Sequence, residues 1–423
     1  MRFGWICRAA ILRGLFGFAV VLTAAVDMQA RDSIDAVIRS YSEKAPLNSS
    51  VWGICAVNMR GDTIVAVNAS QRMVPASNVK LITTGVALDV LGEDYRFRTG
   101  IGYCGEIHGN TLVGDLYILG GADPTLGVRE NIANRFGEWK SFLDKAGIST
   151  ISGRVIADSR YLRDGEFEKS WQYEDIECGD ASIPRGLNFR KNVRNFTQFR
   201  DSDFIAIPLP ADTCAVAFST FLEEGGIHIT GGCADSSSPD IADRREIRLL
   251  GESSSVPLSE IIRETNYESD NFYAETLYRM LSERYVPVRD ALNRMGLETK
   301  GKIQLLDGCG LSRKDYVSPE FFVSFLSKMY RTEVFDAYLK SLPQPGAGTL
   351  GRRLYKSSDK EKKRVYMKSG SMNGILCYSG YILPESNEPS DMIAFSLLTN
   401  NVVDSGGNLN RIIDEIILNL LNL

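Results

Sequence analysis

Histidine is nearly absent from this chain, whose 423 residues include only two, His108 and His228. A hydrolase built on a serine–histidine–aspartate triad would have to use one of them as its base. His108 falls in a predicted hairpin turn and His228 in a predicted strand, and neither has a nucleophile-elbow serine nearby. If a serine carries chemistry in this protein, a lysine is therefore the better candidate for its base.

Paired cysteine motifs are also missing. The eight cysteines are widely spaced, and none of them stands in a CxxC pair, which argues against a zinc site. Seven cysteines follow residue 30, and this odd number does not indicate a disulfide framework. We expect most of them to behave as small buried apolar residues.

No charge of one sign dominates, since 48 lysines and arginines face 53 aspartates and glutamates for a net charge of −5. Hydrophobic residues make up 44% and charged residues 24%, a balance that excludes wholesale disorder, collagen and a coiled coil. The acidic sign argues against a nucleic-acid binder. The length, about three times that of a typical domain, predicts more than one structural unit.

The N-terminal apolar run is too short for a membrane span. A charge-free stretch of 13 residues, Gly14–Val26, follows three arginines, whereas a spanning helix needs about 20 residues. This pattern is typical of a secretory signal. We therefore predict that residues 1–30 are a signal peptide, cleaved after Ala30, and that the exported protein keeps no stable membrane span. An uncleaved N-terminal anchor is the alternative.

Strand and helix patterns alternate in the two outer parts of the chain. In the outer part before the middle region, the pattern predicts a hairpin and then a helix that Pro75 precedes. In the outer part after it, the pattern predicts helices, strands and a terminal helix with an apolar face. The predicted helices are Arg31–Ser42, Asn78–Leu91, Pro257–Asn266, Asn271–Ser282 and Leu409–Leu421, and the predicted strands are Val51–Met59, Thr63–Val67, Val365–Met367, Leu376–Ile382 and Ile393–Thr399.

The middle of the chain has a different texture, rich in glycine and in short apolar runs. We predict that it is one inserted, mostly β unit. Its predicted strands are Arg98–Tyr103, Thr111–Leu119, Ile151–Asp158, Ala215–Phe218 and Ile227–Gly231.

Ser77 and Lys80 are the ends of an SxxK motif at the start of the predicted helix Asn78–Leu91. Positions three apart lie on one face of a helix, so the lysine amine can reach the serine hydroxyl. A base that removes its proton turns serine into a nucleophile, and a helix N-terminus favours negative charge. The alternative is a serine that caps the helix and a lysine on the surface.

Ser269 and Asn271 flank Asp270 in an SDN motif where the next helix begins. A serine hydroxyl can relay a proton, and an asparagine amide can orient a lysine amine and a substrate amide. The alternative is a simple helix cap, since serine, aspartate and asparagine are all favoured there.

Lys368, Ser369, Gly370 and Ser371 follow the predicted strand Val365–Met367. The lysine supplies charge, the hydroxyls donate hydrogen bonds, and the glycine lets a ligand approach the backbone, which together suit a carboxylate beside an edge strand. The alternative is a turn-rich, exposed strand end.

The three motifs occur together, in the order SxxK, SDN and KSG. This triplet, with threonine more usual in the third motif, is known from penicillin-binding proteins and class A β-lactamases. The chain resembles the low-molecular-mass penicillin-binding proteins of the D-alanyl-D-alanine carboxypeptidase/endopeptidase type, peptidase family S13. Further resemblance lies in residues 114–126, 307–313, 348–350 and 368–381, with Cys309 where the family usually has serine.

The resemblance implies a mixed α/β (α+β) fold. A serine transpeptidase/β-lactamase-like domain, with a central antiparallel sheet flanked by helices, would comprise residues 31–95 and 255–423. Residues 96–254 would form a β-rich inserted domain. In the family this insert holds a second, nested unit, which the shorter insert here implies is reduced or missing.

The resemblance also implies the chemistry. Ser77 would be the nucleophile and Lys80 its base, assisted by Ser269, Asn271 and Lys368, while Ser369, Gly370 and Ser371 would bind substrate. The implied partners are peptidoglycan stem peptides and β-lactam antibiotics in the periplasm or cell envelope, with no metal or cofactor. The alternatives are a β-lactamase or esterase with the same motifs, and a non-hydrolytic cell-wall binding or sensor protein.

Overall fold

A computed structural model describes residues 34–128, 131–163, 165–177, 181–193, 211–386, 388–403 and 407–423. The predicted signal peptide lies outside these residues. In the described part the chain forms twelve strands: β1 Val51–Asn58, β2 Thr63–Val67, β3 Arg98–His108, β4 Thr111–Leu119, β5 Thr150–Ile151, β6 Val155–Asp158, β7 His228–Ile229, β8 Cys233–Asp235, β9 Arg248–Ser254, β10 Val365–Met372, β11 Ile375–Ile382 and β12 Ile393–Asn400.

The same ranges contain twelve α-helices: α1 34–40, α2 Val79–Leu91, α3 Ile132–Lys145, α4 Tyr173–Glu177, α5 Thr213–Glu224, α6 Leu258–Tyr267, α7 Asn271–Arg284, α8 Val288–Arg294, α9 Pro319–Met329, α10 Phe335–Ser341, α11 Asp359–Lys362 and α12 Gly407–Leu421. None of them combines the length and apolar character that crossing a membrane would require.

The first sheet joins both ends of the described chain. Its five strands are antiparallel in the order β10-β11-β12-β1-β2, so that β10 lies at an edge. One face packs against helices α2 and α6 to α10 in the largest hydrophobic cluster. The other face packs against α1 and α12 through residues such as Trp52, Phe395 and Ile413. The predicted class, a central antiparallel sheet flanked by helices, is confirmed.

Helix α2 lies at the centre of this arrangement. Every residue from Val79 to Leu88 is buried, Lys80 included. A helix that is apolar on nearly all sides needs neighbours on all sides, and α6, α7, α8 and α10 supply them. A single 3-10 turn, Ala76–Asn78, leads into α2. Ser77 therefore sits just before the α-helix and not inside its first turn.

The second sheet contains strands β3 to β9. It is mixed, because β3 pairs antiparallel with β4 and β9 while β4 pairs parallel with β5 and β6. Helices α3 and α5 cover it and bury Trp139 and Phe218 in a separate cluster. The sequence patterns predicted a mostly β unit here and did not indicate these two helices.

The predicted strand Ala215–Phe218 lies within α5, which is a clear error. A short apolar run fits either element by composition. The helix buries Ala215, Phe218 and Leu222 on one face, which is helical spacing, and leaves Val216 exposed.

The strands of the two sheets come from different parts of the chain. Strands β3 to β9 all come from residues 96–254, and the strands of the first sheet all come from outside them. The division of the chain into these two domains stays a prediction, and so does the reduced nested unit, part of whose range lies outside the described residues.

Candidate active site

Ser77 and Lys80 meet beside β10, the edge strand of the first sheet. The Lys80 ammonium donates to the Ser77 hydroxyl, with Nζ and Oγ 2.9 Å apart. Ser77 is partly exposed, whereas Lys80 is fully buried. The reading of Lys80 as a solvated surface residue is therefore excluded.

Two further oxygens hold the Lys80 amine. It donates to Asn271 Oδ1 at 2.6 Å and to the backbone carbonyl of Cys309 at 2.7 Å. A buried ammonium is tolerated only when acceptors replace its water. The SxxK and SDN motifs are thus joined directly, together with a main-chain carbonyl that the sequence motifs do not contain.

The turn that carries Ser77 packs tightly against the residues around Gly310. Ala76 has a positive φ of 48°, a conformation that costs free energy for a residue other than glycine. Gly310 lies against it with φ +83°, and a Cβ there would stand 2.0 Å from the Ala76 carbonyl oxygen. Residues 307–313, called here the Asp307 loop, therefore limit where the turn that carries Ser77, called here the serine turn, can lie.

The SDN motif divides its roles among its residues. Asp270 caps helix α7, with its carboxylate accepting the Tyr273 backbone N–H at 2.9 Å. Burial would raise the pKa of the Asp270 carboxyl, but an ion pair with Lys191 and the Tyr273 N–H hold it below its ordinary value. The helix cap is thus Asp270. Ser269, which has a φ of 60°, contacts Lys368, and Asn271 contacts Lys80.

Lys368 lies on β10 and is fully buried. It donates to Ser269 Oγ at 2.9 Å and to the Ser369 carbonyl at 2.8 Å. This contact joins the second and third motifs. The prediction placed the KSG motif after a strand that ends at Met367, but β10 continues to Met372 and carries the whole motif. The reading as an exposed strand end is wrong for Lys368.

Gly370 is where β10 passes the serine turn. A Cβ at Gly370 would lie 2.7 Å from the Pro75 carbonyl oxygen and 3.1 Å from the Ser77 nitrogen. The close neighbour of this glycine is thus the chain's own backbone. Ser371, one residue further on, is exposed, and the Ser369 hydroxyl donates to Thr349 Oγ1 at 2.8 Å.

Three residues of the site went unpredicted: Asp307, the carbonyl of Cys309, and Thr349. Both stretches that contain them, 307–313 and 348–350, carry part of the family resemblance, which was the available signal. Their contacts to Lys80 and Ser369 join residues far apart in sequence, so no local spacing indicates them.

Glu275, Asp307 and Cys309 bring three atoms of metal-ligand type within 4.8 Å of one another. Glu275 Oε2 accepts the Gly308 N–H at 2.8 Å, and Asp307 accepts several backbone N–H groups of its own loop. Burial, reinforced by the Asp307 carboxylate, raises the pKa of Glu275 to about 8, and burial raises that of the Cys309 thiol. Both carboxylates already accept backbone N–H groups, so hydrogen bonding gives each of them a partner in this cluster.

The site combines two serine–lysine contacts, Ser77 with Lys80 and Ser269 with Lys368, and a KSG motif on an edge strand. These features define a class of protein, the active-site serine enzymes that include penicillin-binding proteins and β-lactamases. Within that class, the chain belongs to the D-Ala-D-Ala carboxypeptidase 3 (S13) family, which it matches over residues 34–200 and 202–419. The resemblance found in the sequence, and the enzyme class it implies, a penicillin-binding serine D-Ala-D-Ala peptidase, are confirmed.

Several individual proteins are similar to this chain along most of its length. The D-alanyl-D-alanine carboxypeptidase of Actinomadura sp. (strain R39) is 25% identical over 88% of this chain and 80% of its own. The penicillin-sensitive carboxypeptidase A of Dictyostelium discoideum is 24% identical over 90% and 88%. Among solved structures, penicillin-binding protein 4 (dacB) of Haemophilus influenzae shares the fold with a TM-score of 0.75, at 21% identity over 91% and 99%.

Proposed function

We propose that this protein is an exported carboxypeptidase/endopeptidase that cleaves D-Ala-D-Ala bonds, or the equivalent cross-links, in peptidoglycan stem peptides of the periplasm or cell envelope. Ser77 forms the acyl-enzyme. The observation that carries the proposal is the 2.9 Å contact of Ser77 Oγ with the amine of Lys80, which is buried and held by two further oxygens.

Lys80 acts as the base of acylation. In its neutral form the amine takes the Ser77 hydroxyl proton while Ser77 Oγ bonds to the carbonyl carbon of the penultimate D-alanine. A free lysine side chain has a pKa near 10.4. In this proposal, burial and nearby cations such as Lys368 favour the neutral form of Lys80. General-base catalysis of this kind contributes about 10²–10⁴-fold.

The negative charge that develops on the substrate oxygen requires donors. The backbone N–H groups of Ser77 and Ser371 are the proposed oxyanion hole. Gly370 supports this assignment, because its lack of a side chain allows β10 to approach the serine turn. In comparable enzymes one such donor contributes about 2.7–4 kcal/mol.

Ser269 relays the proton that Lys80 took from Ser77 to the leaving amine as the peptide C–N bond breaks. Its Oγ already accepts from Lys368 at 2.9 Å, so its own O–H can donate elsewhere. Lys368, Ser369 and Ser371 bind the terminal carboxylate of the substrate, and Asn271 holds both Lys80 and the substrate amide. Water then hydrolyses the acyl-enzyme and regenerates Ser77.

A β-lactam presents a strained amide beside a carboxylate and should acylate Ser77 in the same way. The Haemophilus influenzae protein has been solved in complex with a β-lactam, which supports this expectation. The alternatives give different kinetics. Fast turnover of penicillin would favour a β-lactamase, and a protein that releases no D-alanine would favour a binding or sensor role.

The decisive test is labelling of the purified protein with a fluorescent penicillin, comparing wild type with Ser77→Ala. A matched control is Ser324→Ala, where an exposed hydroxyl is removed from α9, a helix that carries none of the candidate site residues. We expect stable, stoichiometric labelling of wild type and Ser324→Ala and none of Ser77→Ala. Unchanged labelling of Ser77→Ala would reject Ser77 as the nucleophile. D-Alanine release from a stem pentapeptide, measured in parallel, tests the substrate.

A further inference from the structure

The Asp307 loop is wound around one buried carboxylate. Asp307 is fully buried, and its Oδ1 accepts the backbone N–H groups of Cys309 at 3.2 Å and Gly310 at 2.6 Å. Its Oδ2 accepts the N–H of Ser312 at 2.8 Å. With three backbone donors from residues 309, 310 and 312 gathered on one side chain, the loop has little freedom to rotate its peptide groups. The Cys309 carbonyl that reaches Lys80 is one of those groups.

Residues 167–171, from the part of the chain that also forms the second sheet, contact the Asp307 loop. The indole N–H of Trp171 donates to Asp307 Oδ2 at 2.7 Å, and the hydroxyls of Ser170 and Ser312 lie 2.7 Å apart. Phe167 packs edge-on against Trp171, with ring centroids 6.4 Å apart. Hydrogen bonds to a carboxylate are stronger than those between neutral groups, so Trp171 is a significant part of the Asp307 environment.

The direction of the Lys80 lone pair depends on this support. A neutral amine has two N–H groups and one lone pair, and Lys80 has three oxygen neighbours. If Asn271 Oδ1 and the Cys309 carbonyl accept the two N–H groups, the lone pair is left facing the Ser77 hydroxyl. A displaced Cys309 carbonyl would let the amine rotate away from the proton that it has to take.

Building on the proposed function, we infer that Asp307 and Trp171 are positioning residues for acylation. Trp171 steadies the Asp307 carboxylate, Asp307 fixes the Cys309 carbonyl, and this carbonyl together with Asn271 aims the Lys80 lone pair at Ser77. Neither side chain needs to touch the reacting atoms. The part of the chain outside the first sheet thereby contributes to the rate of the chemical step.

The experiment compares Trp171→Phe with Trp139→Phe in the full-length protein. Both changes keep an aromatic ring and remove one indole hydrogen bond, which is part-buried at Trp171 and buried at Trp139. Trp139 Nε1 donates to Ser253 Oγ at 2.8 Å in the core of the second sheet. Stopped-flow measurement with a fluorescent penicillin gives the acylation rate constant at saturation, the dissociation constant of the first complex, and the fraction of chains labelled at completion.

For Trp171→Phe we expect the saturating acylation rate constant to fall about tenfold, since small displacements of a catalytic group cost rate steeply. The dissociation constant and the final labelled fraction should match wild type. Trp139→Phe should react at the wild-type rate. Asp307→Asn removes the charged acceptor itself and should cost more, about a hundredfold. If that variant fails to fold, Trp171→Phe still decides the question.

Equal rate constants for Trp171→Phe and Trp139→Phe would overturn the inference. So would a change in the dissociation constant alone, because it would place Trp171 against the ligand. A merely structural defect would lower the labelled fraction and leave the rate constant of the remaining chains unchanged, which also contradicts positioning. Failure of the wild type to react with penicillin would instead contradict the proposed function.

Discussion

Two fully buried lysines define this site at the level of the residue. Lys80 and Lys368 are both inaccessible to solvent, and each of them donates to a serine hydroxyl at 2.9 Å. Burying an ammonium without acceptors is costly, so these contacts both offset the cost and fix where each amine points. A buried acidic group, Glu275 on α7, lies beside Asp307.

Glu275 makes stability depend on pH. Its pKa of about 8 in the folded protein compares with about 4.3 in an unfolded chain. Between these values the folded protein keeps a proton that the unfolded chain releases, so the free energy of unfolding falls as pH rises through this window. Glu275→Gln keeps an acceptor for the Gly308 N–H and removes the titration.

We expect Glu275→Gln to gain stability over wild type progressively between pH 5 and pH 8, as measured by urea unfolding. The matched control, Glu298→Gln, changes an exposed glutamate and should give a stability difference that does not vary with pH. A difference for Glu275→Gln that is constant across this range would show that the buried carboxyl titrates normally.

At the level of elements, the site depends on how closely β10 approaches the turn before α2. Gly370 faces the Pro75 carbonyl and the Ser77 nitrogen with no room for a side chain. The third motif therefore needs glycine at this position, because a strand and a turn share one narrow space there. A methyl group would push the KSG strand away from the serine.

Gly370→Ala should leave the protein folded and lower the rate of penicillin acylation by about tenfold or more, since the reacting groups are moved apart. Gly137→Ala is the control, because a Cβ at that position of α3 meets nothing within 4 Å. There alanine should instead stabilise the helix by about 0.5–1 kcal/mol. Wild-type acylation by Gly370→Ala would show that the close approach is unimportant.

At the level of the whole molecule, the region around the second sheet contacts the active-site elements at several points. Lys191 pairs with Asp270 of the SDN motif, and Arg279 on α7 donates to the carbonyls of Pro184 and Arg163. Trp171 contacts the Asp307 loop. The chain between the SxxK and SDN motifs therefore does more than separate them, because its Lys191 also neutralises the Asp270 charge beside the site.

Lys191→Met removes the cation beside the nearly buried Asp270 carboxylate. Losing one partner of such a pair leaves an uncompensated charge, and because Lys191 is partly exposed we expect a loss of about 1–3 kcal/mol at pH 7. The pKa of Asp270 is lower in the folded protein than in the unfolded chain. The ionised carboxylate therefore stabilises the fold at pH values above the unfolded-chain pKa, and this stabilisation is lost as pH falls through the folded-state pKa. The destabilisation should therefore shrink towards pH 3.

Thermal melting at pH 7 and pH 3 measures this effect. Lys340→Met removes one partner of a fully solvated ion pair with Asp336 on α10 and should change the melting temperature little at either pH. A Lys191→Met variant as stable as this control would mean that Asp270 does not depend on its partner.

Much of the site could be predicted from the chain alone, because its motifs are local. Ser77 and Lys80 are three residues apart, and the SDN and KSG residues are adjacent, so spacing and residue chemistry pointed to them. The error at Ala215–Phe218 has a physical cause, since a short apolar run fits a strand as well as a helix until its packing partners are known.

The sequence by itself determined which side chains are candidates for chemistry and the order in which they occur along the chain. Only the tertiary structure decided which backbone carbonyl meets Lys80, which carboxylate holds that carbonyl, and which tryptophan supports the carboxylate. Every residue has a carbonyl, so nothing in the sequence distinguishes that of Cys309, which lies 229 positions from Lys80. Folding selects it, because only packing brings one loop beneath one helix.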